Sequence, residues 1–576
     1  MIARRPLWTA AARGVTTVTN KALLSASRRT VPSLARAHST AVHSAACWDD
    51  DEAAWEAEFI AATEEVYDSS RTFEDSAAGL RQLVRTGLLR HTDLRDRPDR
   101  FFKAHRLLAR HAVKHGPGFW IRFTVHYNLC FGTVLAVGSP EQIESMEEVT
   151  AHGLLGCFAL TEKLAGVQSG LIVQTKAEYK EDSQTFELNN LGKTEGAYKN
   201  WISQGFVADK AVVLADLTVG GERKGPHAFL MDMRKDGKLE PGVGTGDMGI
   251  KTVGNDLDNA WSTRCAQPSL KHDTSHLSAS PSAAHHAVLN RIHARAPTHV
   301  STLVQPMCAV SFDRVQLPRS ALLSRYAQVS SSGEYVQAEQ GIKPFEMIGQ
   351  RLYTGRVAVA QAALSYRRKL YEDTQAYADA KPIPSFGAGG MAALSSIPQL
   401  RSLFGEAEST ASTLERFVGI CEDQLTPLLL SGSVPSEELA HRIAVAKVKA
   451  VEHSIDLCWR LKQEVGSYAL MGDSGFGSMD FLQCCKFAEG DSRVLMLKMA
   501  RDRMRKFAKD SKAGLPSAPG HTEEERHCVN LGAALAKAKG DKAVELQLWD
   551  QEWRTVYSLA EAVMARTMDE ALSEGE

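Results

Sequence analysis

At 576 residues the chain is long enough for three or four packed units, well above the size at which a hydrophobic core becomes hard to bury. Its composition, 44% hydrophobic and 24% charged, is that of a globular protein, and a net charge of −2 supplies no field for nucleic acid or an anionic membrane. No apolar run reaches the roughly 18 residues of a membrane span, and ten scattered cysteines without a CxxC pair read as free thiols in a reducing compartment.

Residues 1–48 carry Arg4, Arg5, Arg13, Lys21, Arg28, Arg29 and Arg36, many Ser and Thr, and no acid before Asp49. An Arg-rich, Ser-rich, acid-free leader is the composition of an organelle transit peptide. With no Ser-Lys-Leu at the C-terminus, it points to a mitochondrial location, the peroxisome being the alternative. Residues 50–155 read as a helical domain. Phe101, Phe102, Leu107, Leu108, Ala112 and Val113 recur on one face, and Gly116-Pro117-Gly118 closes that segment. His111 and His115 stand four apart but lack an acidic partner, so they read as a solvated helix face and not as a metal site.

From 156 to 325 the grammar is that of short strands, such as 185–188, 211–215 and 227–231, separated by Gly and Asp turns. Within it, residues 261–308 hold six histidines, one acid and no periodicity, which reads as an insertion of foreign composition. Helical patterns return over 326–512. After a polar break, a helical extension over 521–576 places Leu546, Trp549, Trp553, Val556, Ala560 and Val563 on a single helix face. The order helical, β, helical excludes a doubly wound sheet and fits an α+β multidomain chain. Gly387-Ala388-Gly389-Gly390 follows no strand pattern and reads as a linker, not a dinucleotide fingerprint.

Three local motifs carry polar chemistry. Residues 157–170 form a small-residue loop with a hydroxyl and amides, suited to a flat polar ligand or to a plain connection. Residues 199–205 place Trp201 beside Ser203 at the start of a strand. In Phe487-Ala488-Glu489-Gly490-Asp491-Ser492 a carboxylate precedes a helix, where composition alone makes Glu489 an acid stabilised by the helix dipole.

In this order the three motifs resemble the acyl-CoA oxidase branch of the acyl-CoA dehydrogenase superfamily, over roughly residues 75–510. The stretches Thr92–His105, Asp256-Leu257-Asp258-Asn259-Ala260 and 310–319 are similar to that branch, and removing 261–308 restores the family spacing between Asn259 and Pro318. The resemblance implies a helical N-terminal domain, a β-barrel-like middle domain and a C-terminal four-helix bundle, with FAD between the last two. It further implies flavin contacts from Thr161, Trp201 and Ser203, contacts across a homodimer or homotetramer from Gln463 and Gly466, and a catalytic base at Glu489. No metal is implied. The family's arginine before a Phe-Gly pair is absent, Lys381 to Gly387 standing there instead.

Under that resemblance the expected function is desaturation of a fatty acyl-CoA in β-oxidation. A carboxylate takes the α proton, and the hydride from the β carbon goes to FAD. Oxygen is the expected electron acceptor, giving peroxide. The alternatives are a mitochondrial dehydrogenase that feeds an electron-transfer flavoprotein, and a degenerate acyl-CoA-binding or assembly protein. Ser203, where oxidases carry glycine, leans toward the dehydrogenase.

Overall fold

The computed structural model describes residues 45–66, 72–111, 113, 116–166, 172–191, 198–261, 310–337, 344–384, 389–512 and 522–574. The chain divides into two compact units, Met1–Ala53 and Ala54–Glu576. The first is described only where helix α1 (Ala45–Val66) enters it. Most of the expected leader, nearly all of the expected insertion, and His115 lie outside the described residues. The second unit contains everything that follows.

Its first part is helical because apolar residues recur at three- and four-residue spacing behind clear start signals. Helix α2 (Phe73–Arg85) opens on a capping box in which the Thr72 side chain accepts from the Asp75 N–H. Helix α3 (Pro98–His111) buries Phe101, Phe102, Leu107 and Leu108, the face that the spacing predicts. Helix α4 (Pro117–Thr124) starts with proline in its first turn, where no intrahelical donor is needed. It continues directly into a π-helical turn, Val125–Phe131.

The middle part is a six-stranded mixed sheet. Its strands include β1 (Gly156–Ala159), β2 (Lys176–Lys180) and β3 (Thr185–Asn189). A two-residue strand, β4 (Ile202–Ser203), belongs to a separate small sheet. The long hairpin β5 (Lys210–Val219) and β6 (Glu222–Asp232) is central. Strands β1 and β2 lie end to end along one edge of β5, both parallel to it, and β6 takes the other edge. Strand β7 (Asn259–Trp261) pairs with β4, and β8 (Val315–Pro318) closes on β3.

The near-continuous apolar run of β5 follows from covering both faces of the sheet. Val212 and Leu214 join the helical core, whereas Ala211, Val213 and Ala215 join a separate β core. The two-residue period of a strand thus divides one apolar run between two cores. A further hairpin, 327–329 with 335–337, carries the strand grammar past the expected boundary at 325.

The C-terminal part is built on α5 (Pro344–Ala380), α6 (Pro398–Ser431) and α7 (Glu437–Glu464), with α5 packed against α3, α6 and α7. Two sequence expectations change here. The Gly389-Gly390 pair does follow a strand, since 382–384 pairs with 391–393, and it belongs to a hairpin connection instead of a linker. After α8 (Ser492–Lys512) and α9 (Glu523–Leu535), the single expected helix is two, α10 (Lys542–Gln551) and α11 (Trp553–Glu574). The break falls at Glu552, whose N–H caps the Leu548 carbonyl. The apolar spacing runs on across it because Trp549, Val556, Ala560 and Val563 all enter the same core.

Candidate active site

A short helix, Phe481–Phe487, ends just before Glu489. Glu489 and Gly490 then take left-handed backbone, with φ of +55° and +98°. A non-glycine residue in that region is strained and persists only where its surroundings hold it. The helix-dipole role expected of Glu489 belongs to Asp491 instead. Asp491 Oδ1 accepts the Arg493 N–H at 2.7 Å and its carbonyl accepts from Leu495. Glu489 is buried, at 8% exposure, with its carboxyl inside the protein.

Three elements surround that carboxyl. From the π-helical turn, Asn128 Nδ2 donates to Oε1 at 3.3 Å, while Thr354 Oγ1 of α5 donates to Asn128 Oδ1 at 2.7 Å. The next residue on α5 is Gly355, and a Cβ there would stand 2.2 Å from Glu489 Cδ. Only hydrogen fits at that position. Arg356 Nε donates to the Glu489 carbonyl at 2.9 Å. From α7, Lys447 Nζ donates to the Gly490 carbonyl at 3.0 Å. Glu489 Oε2 is buried without a hydrogen-bond partner. Burial pushes the carboxyl up to about 7, outweighing Arg356, Asn128 and Lys447, which pull the other way. The result is a buried carboxylate with one weak donor, one vacant oxygen and an affinity for a proton near neutrality, the profile of a general base.

Thr161, Trp201 and Ser203 gather at a second place. Thr161 follows β1 and is exposed, and its carbonyl accepts the Asn200 N–H at 2.9 Å. Trp201 is next in the chain, 54% exposed and left-handed at φ +55°. Ser203 lies on β4 and its Oγ accepts from Asn259 Nδ2 at 3.1 Å. A hydroxyl and an exposed indole therefore share one region, held from beneath by a buried ion pair. Glu162 Oε1 accepts from Lys199 Nζ at 3.0 Å, both side chains being fully buried. It also accepts from the Thr175 amide and hydroxyl, while Oε2 takes the Gln174 amide. Lys199 donates on to the Leu214 carbonyl at 2.7 Å, tying the loop to β5.

Gln463 and Gly466 stand on neither of these elements. They are exposed at the C-terminal end of α7, where Gln463 borders a surface depression with Gln399, Ser402 and Arg460. The turn Asp256–Asn259 has a joining role. Asp258 forms a fully buried ion pair with Arg122 of α4 at 2.9 Å, and Asp256 Oδ1 accepts the Gly118 N–H. Sequence reasoning missed Asn128, Gly355, Arg356 and Lys447 around Glu489, and the Glu162–Lys199 pair. Glu162 and Lys199 were legible only as polar residues inside quoted motifs. Asn128 is one of several polar residues, with Arg122 and His126, in a largely apolar stretch, and nothing local sets it apart. Among the described residues, no group of three or more His, Cys, Asp or Glu is placed to hold a metal, and no helix is long and apolar enough to cross a membrane.

No family model matches the chain. Acyl-coenzyme A oxidase 2 of Yarrowia lipolytica is 25% identical over 410 residues, which cover 67% of this chain and 50% of that protein. Peroxisomal acyl-coenzyme A oxidase 3 of Homo sapiens is 27% identical over 250 residues, covering 41% of this chain and 28% of that protein. The chain thus spans about half the length, or less, of the curated relatives it matches. Among solved structures, acyl-CoA oxidase-2 of Caenorhabditis elegans, bound with FAD, ascaroside-CoA and ATP, superimposes with a TM-score of 0.66. That match has 16% identity and covers 91% of this chain and 76% of the other.

The mitochondrial location expected from the leader is overturned. The human relative and one from Arabidopsis thaliana are both named as peroxisomal. Basic, acid-free composition is shared by many unstructured tails and is not by itself an address. In sequence the chain is similar to curated acyl-CoA oxidases, and it has the fold of the solved acyl-CoA oxidase on which it superimposes.

Proposed function

We propose that the protein is an FAD-dependent acyl-CoA oxidase that converts a fatty acyl-CoA to the trans-2-enoyl-CoA. The observation that carries this is Glu489, a buried carboxyl pushed up to about 7 with Oε2 unpartnered. An α proton of a thioester is weakly acidic, so its removal needs a base held within about 3 Å and desolvated enough to compete for it. Glu489 accepts the α proton as that C–H bond breaks. The β C–H bond breaks with its electron pair leaving as hydride, and the α–β double bond forms. FAD, when bound, supplies the two-electron acceptor that no side chain can provide.

The residues present fit such a group. Thr161 and Trp201 are exposed side by side, an aromatic face and a hydroxyl suited to a flat polar ring system. The fold holds these groups in register with each other. Exposed Gln463 and Gly466 are assigned to the flavin of a second copy in a homodimer or larger assembly.

Oxygen is the proposed acceptor, and hydrogen peroxide the product. The test is peroxide formed per acyl-CoA consumed, in air and with no added acceptor. Near-stoichiometric peroxide is expected. Turnover that begins only when an electron-transfer flavoprotein is added would make the enzyme a dehydrogenase, and a colourless protein that binds acyl-CoA without bleaching any flavin would make it a binder.

A further inference from the structure

The Glu489 turn is strained, and something must hold it. Lys447 lies at the middle of α7, fully buried among apolar neighbours. Its ammonium has three hydrogens, and three acceptors meet them: the Lys486 carbonyl at 2.6 Å, the Gly490 carbonyl at 3.0 Å and Ser492 Oγ at 3.0 Å. These acceptors flank Glu489 on both sides. They are the last turn of the short helix, the left-handed glycine, and the first residue of α8. Arg356 of α5 holds the carbonyl of Glu489 itself. A buried ammonium is costly to desolvate and is found where its hydrogen bonds are all used.

We propose that Lys447 is a positioning residue, whose three hydrogen bonds to the turn Lys486–Ser492 hold the Glu489 carboxyl against Gly355. The inference rests on Glu489 being the base. Two left-handed residues in succession give the turn other conformations to relax into once its anchor is lost. Relaxation would move the carboxyl away from the glycine notch and toward water. A shift of about 1 Å at a reacting group costs up to about a hundredfold in rate. Burial also brings the Lys447 ammonium down to about 7, so its full set of three donors is poised near neutrality. The charged and titratable groups around the two residues are Arg356 on α5, Glu452 on α7, Cys485 on the short helix and Asp491 in the turn.

The test compares the FAD-loaded parent with Lys447→Met, which keeps the length of the side chain and removes its donors. Anaerobic flavin bleaching by octanoyl-CoA should slow by about 10- to 100-fold, with FAD content unchanged and the half-saturating octanoyl-CoA concentration shifted less than about threefold. A second readout needs no turnover. Buried Glu489 should lower the thermal midpoint of the parent relative to Glu489→Gln as pH rises from 4.5 to about 7. That difference should vanish in the Lys447→Met background, where the carboxyl reaches water.

Bleaching at the parent rate, or an unchanged pH-dependent difference, overturns the proposal. Should Lys447→Met fail to fold, Ser492→Ala removes a single acceptor, and a parent rate in that variant overturns the proposal equally. The underlying reading fails separately. If Glu489→Gln bleaches at the parent rate, Glu489 is not the base. If Glu489→Gln is inert while Lys447→Met is unaffected, only the positioning role is lost.

Discussion

Two of the buried carboxylates, Glu162 and Glu489, are treated in opposite ways. Glu162 is wholly enclosed and saturated: its oxygens accept from Lys199, from the Thr175 amide and hydroxyl, and from the Gln174 amide. Glu489 is nearly as enclosed, yet it has a single 3.3 Å donor and one oxygen without a partner. With four donors on its two oxygens, Glu162 holds a loop. A carboxylate that is desolvated and under-bonded holds its proton more tightly than water would dictate, and it is available for chemistry. Between these two acids burial is similar, and the count of donors is what differs.

The comparison is most exposed to failure at Glu489. In Glu489→Gln the flavin should remain bound, while bleaching by acyl-CoA slows by about 10²–10⁴ in rate, the usual loss of an essential base. Stopped-flow absorbance in the flavin band, without oxygen, measures it. A parent rate would mean that the under-bonded carboxylate has no part in the reaction.

At the other pole, Lys199→Met leaves Glu162 buried and uncompensated, with its remaining donors all uncharged. The expected cost is about 3–5 kcal/mol of stability, read from denaturant unfolding. A loss below about 1 kcal/mol, the range of exposed pairs, would show that the saturated carboxylate is not held as firmly as its geometry implies.

The proton affinity of Glu489 has a sign that can be checked. Its carboxyl is raised from 4.5 to about 7 in the folded chain, so between those values the folded state keeps a proton that the unfolded state releases. Its contribution to stability is therefore largest below pH 4.5 and is lost as pH rises through 7, by about 3 kcal/mol in all. Glu489→Gln should abolish that slope, leaving the variant more stable than the parent at about pH 8. An identical pH dependence in the two proteins would place the carboxyl in water.

The smallest effect is expected where the saturated carboxylate only supports a neighbour. Thr161→Ala removes one exposed hydroxyl and should weaken FAD binding by about 1 kcal/mol, or about fivefold. Flavin fluorescence titration would detect it, and unchanged affinity would detach Thr161 from the cofactor.

Much of the architecture was legible from local pattern. Phe101, Phe102, Leu107 and Leu108 mark the buried face of α3 by spacing alone, whereas Gly116-Pro117-Gly118 reads only as the close of that segment, and α4 starts within it at Pro117. The run 211–215 was recognisable as a strand, but not as one that serves two cores, because alternation is invisible when every position is apolar. The break at Glu552 was hidden for a similar reason: Trp549 before it and Val556, Ala560 and Val563 after it face one core, although Leu546 and Trp553 are exposed.

The site was legible in part. Glu489 stood out by its motif, yet composition alone assigned it the helix-dipole role that Asp491 performs, since both acids precede the same helix. By itself the sequence determined the order of helical, β and helical regions and the short segments that carry Thr161, Trp201 and Glu489. Those depend on periodicity and turn residues, which act between neighbours in the chain. Only the tertiary structure decided which buried acid is satisfied and which is left open. Asn128 reaches Glu489 across 361 positions of the chain, and Gly355 and Lys447 approach it from two further helices. Desolvation and hydrogen-bond saturation are set by whatever packs around a group, and nothing local in the sequence encodes that.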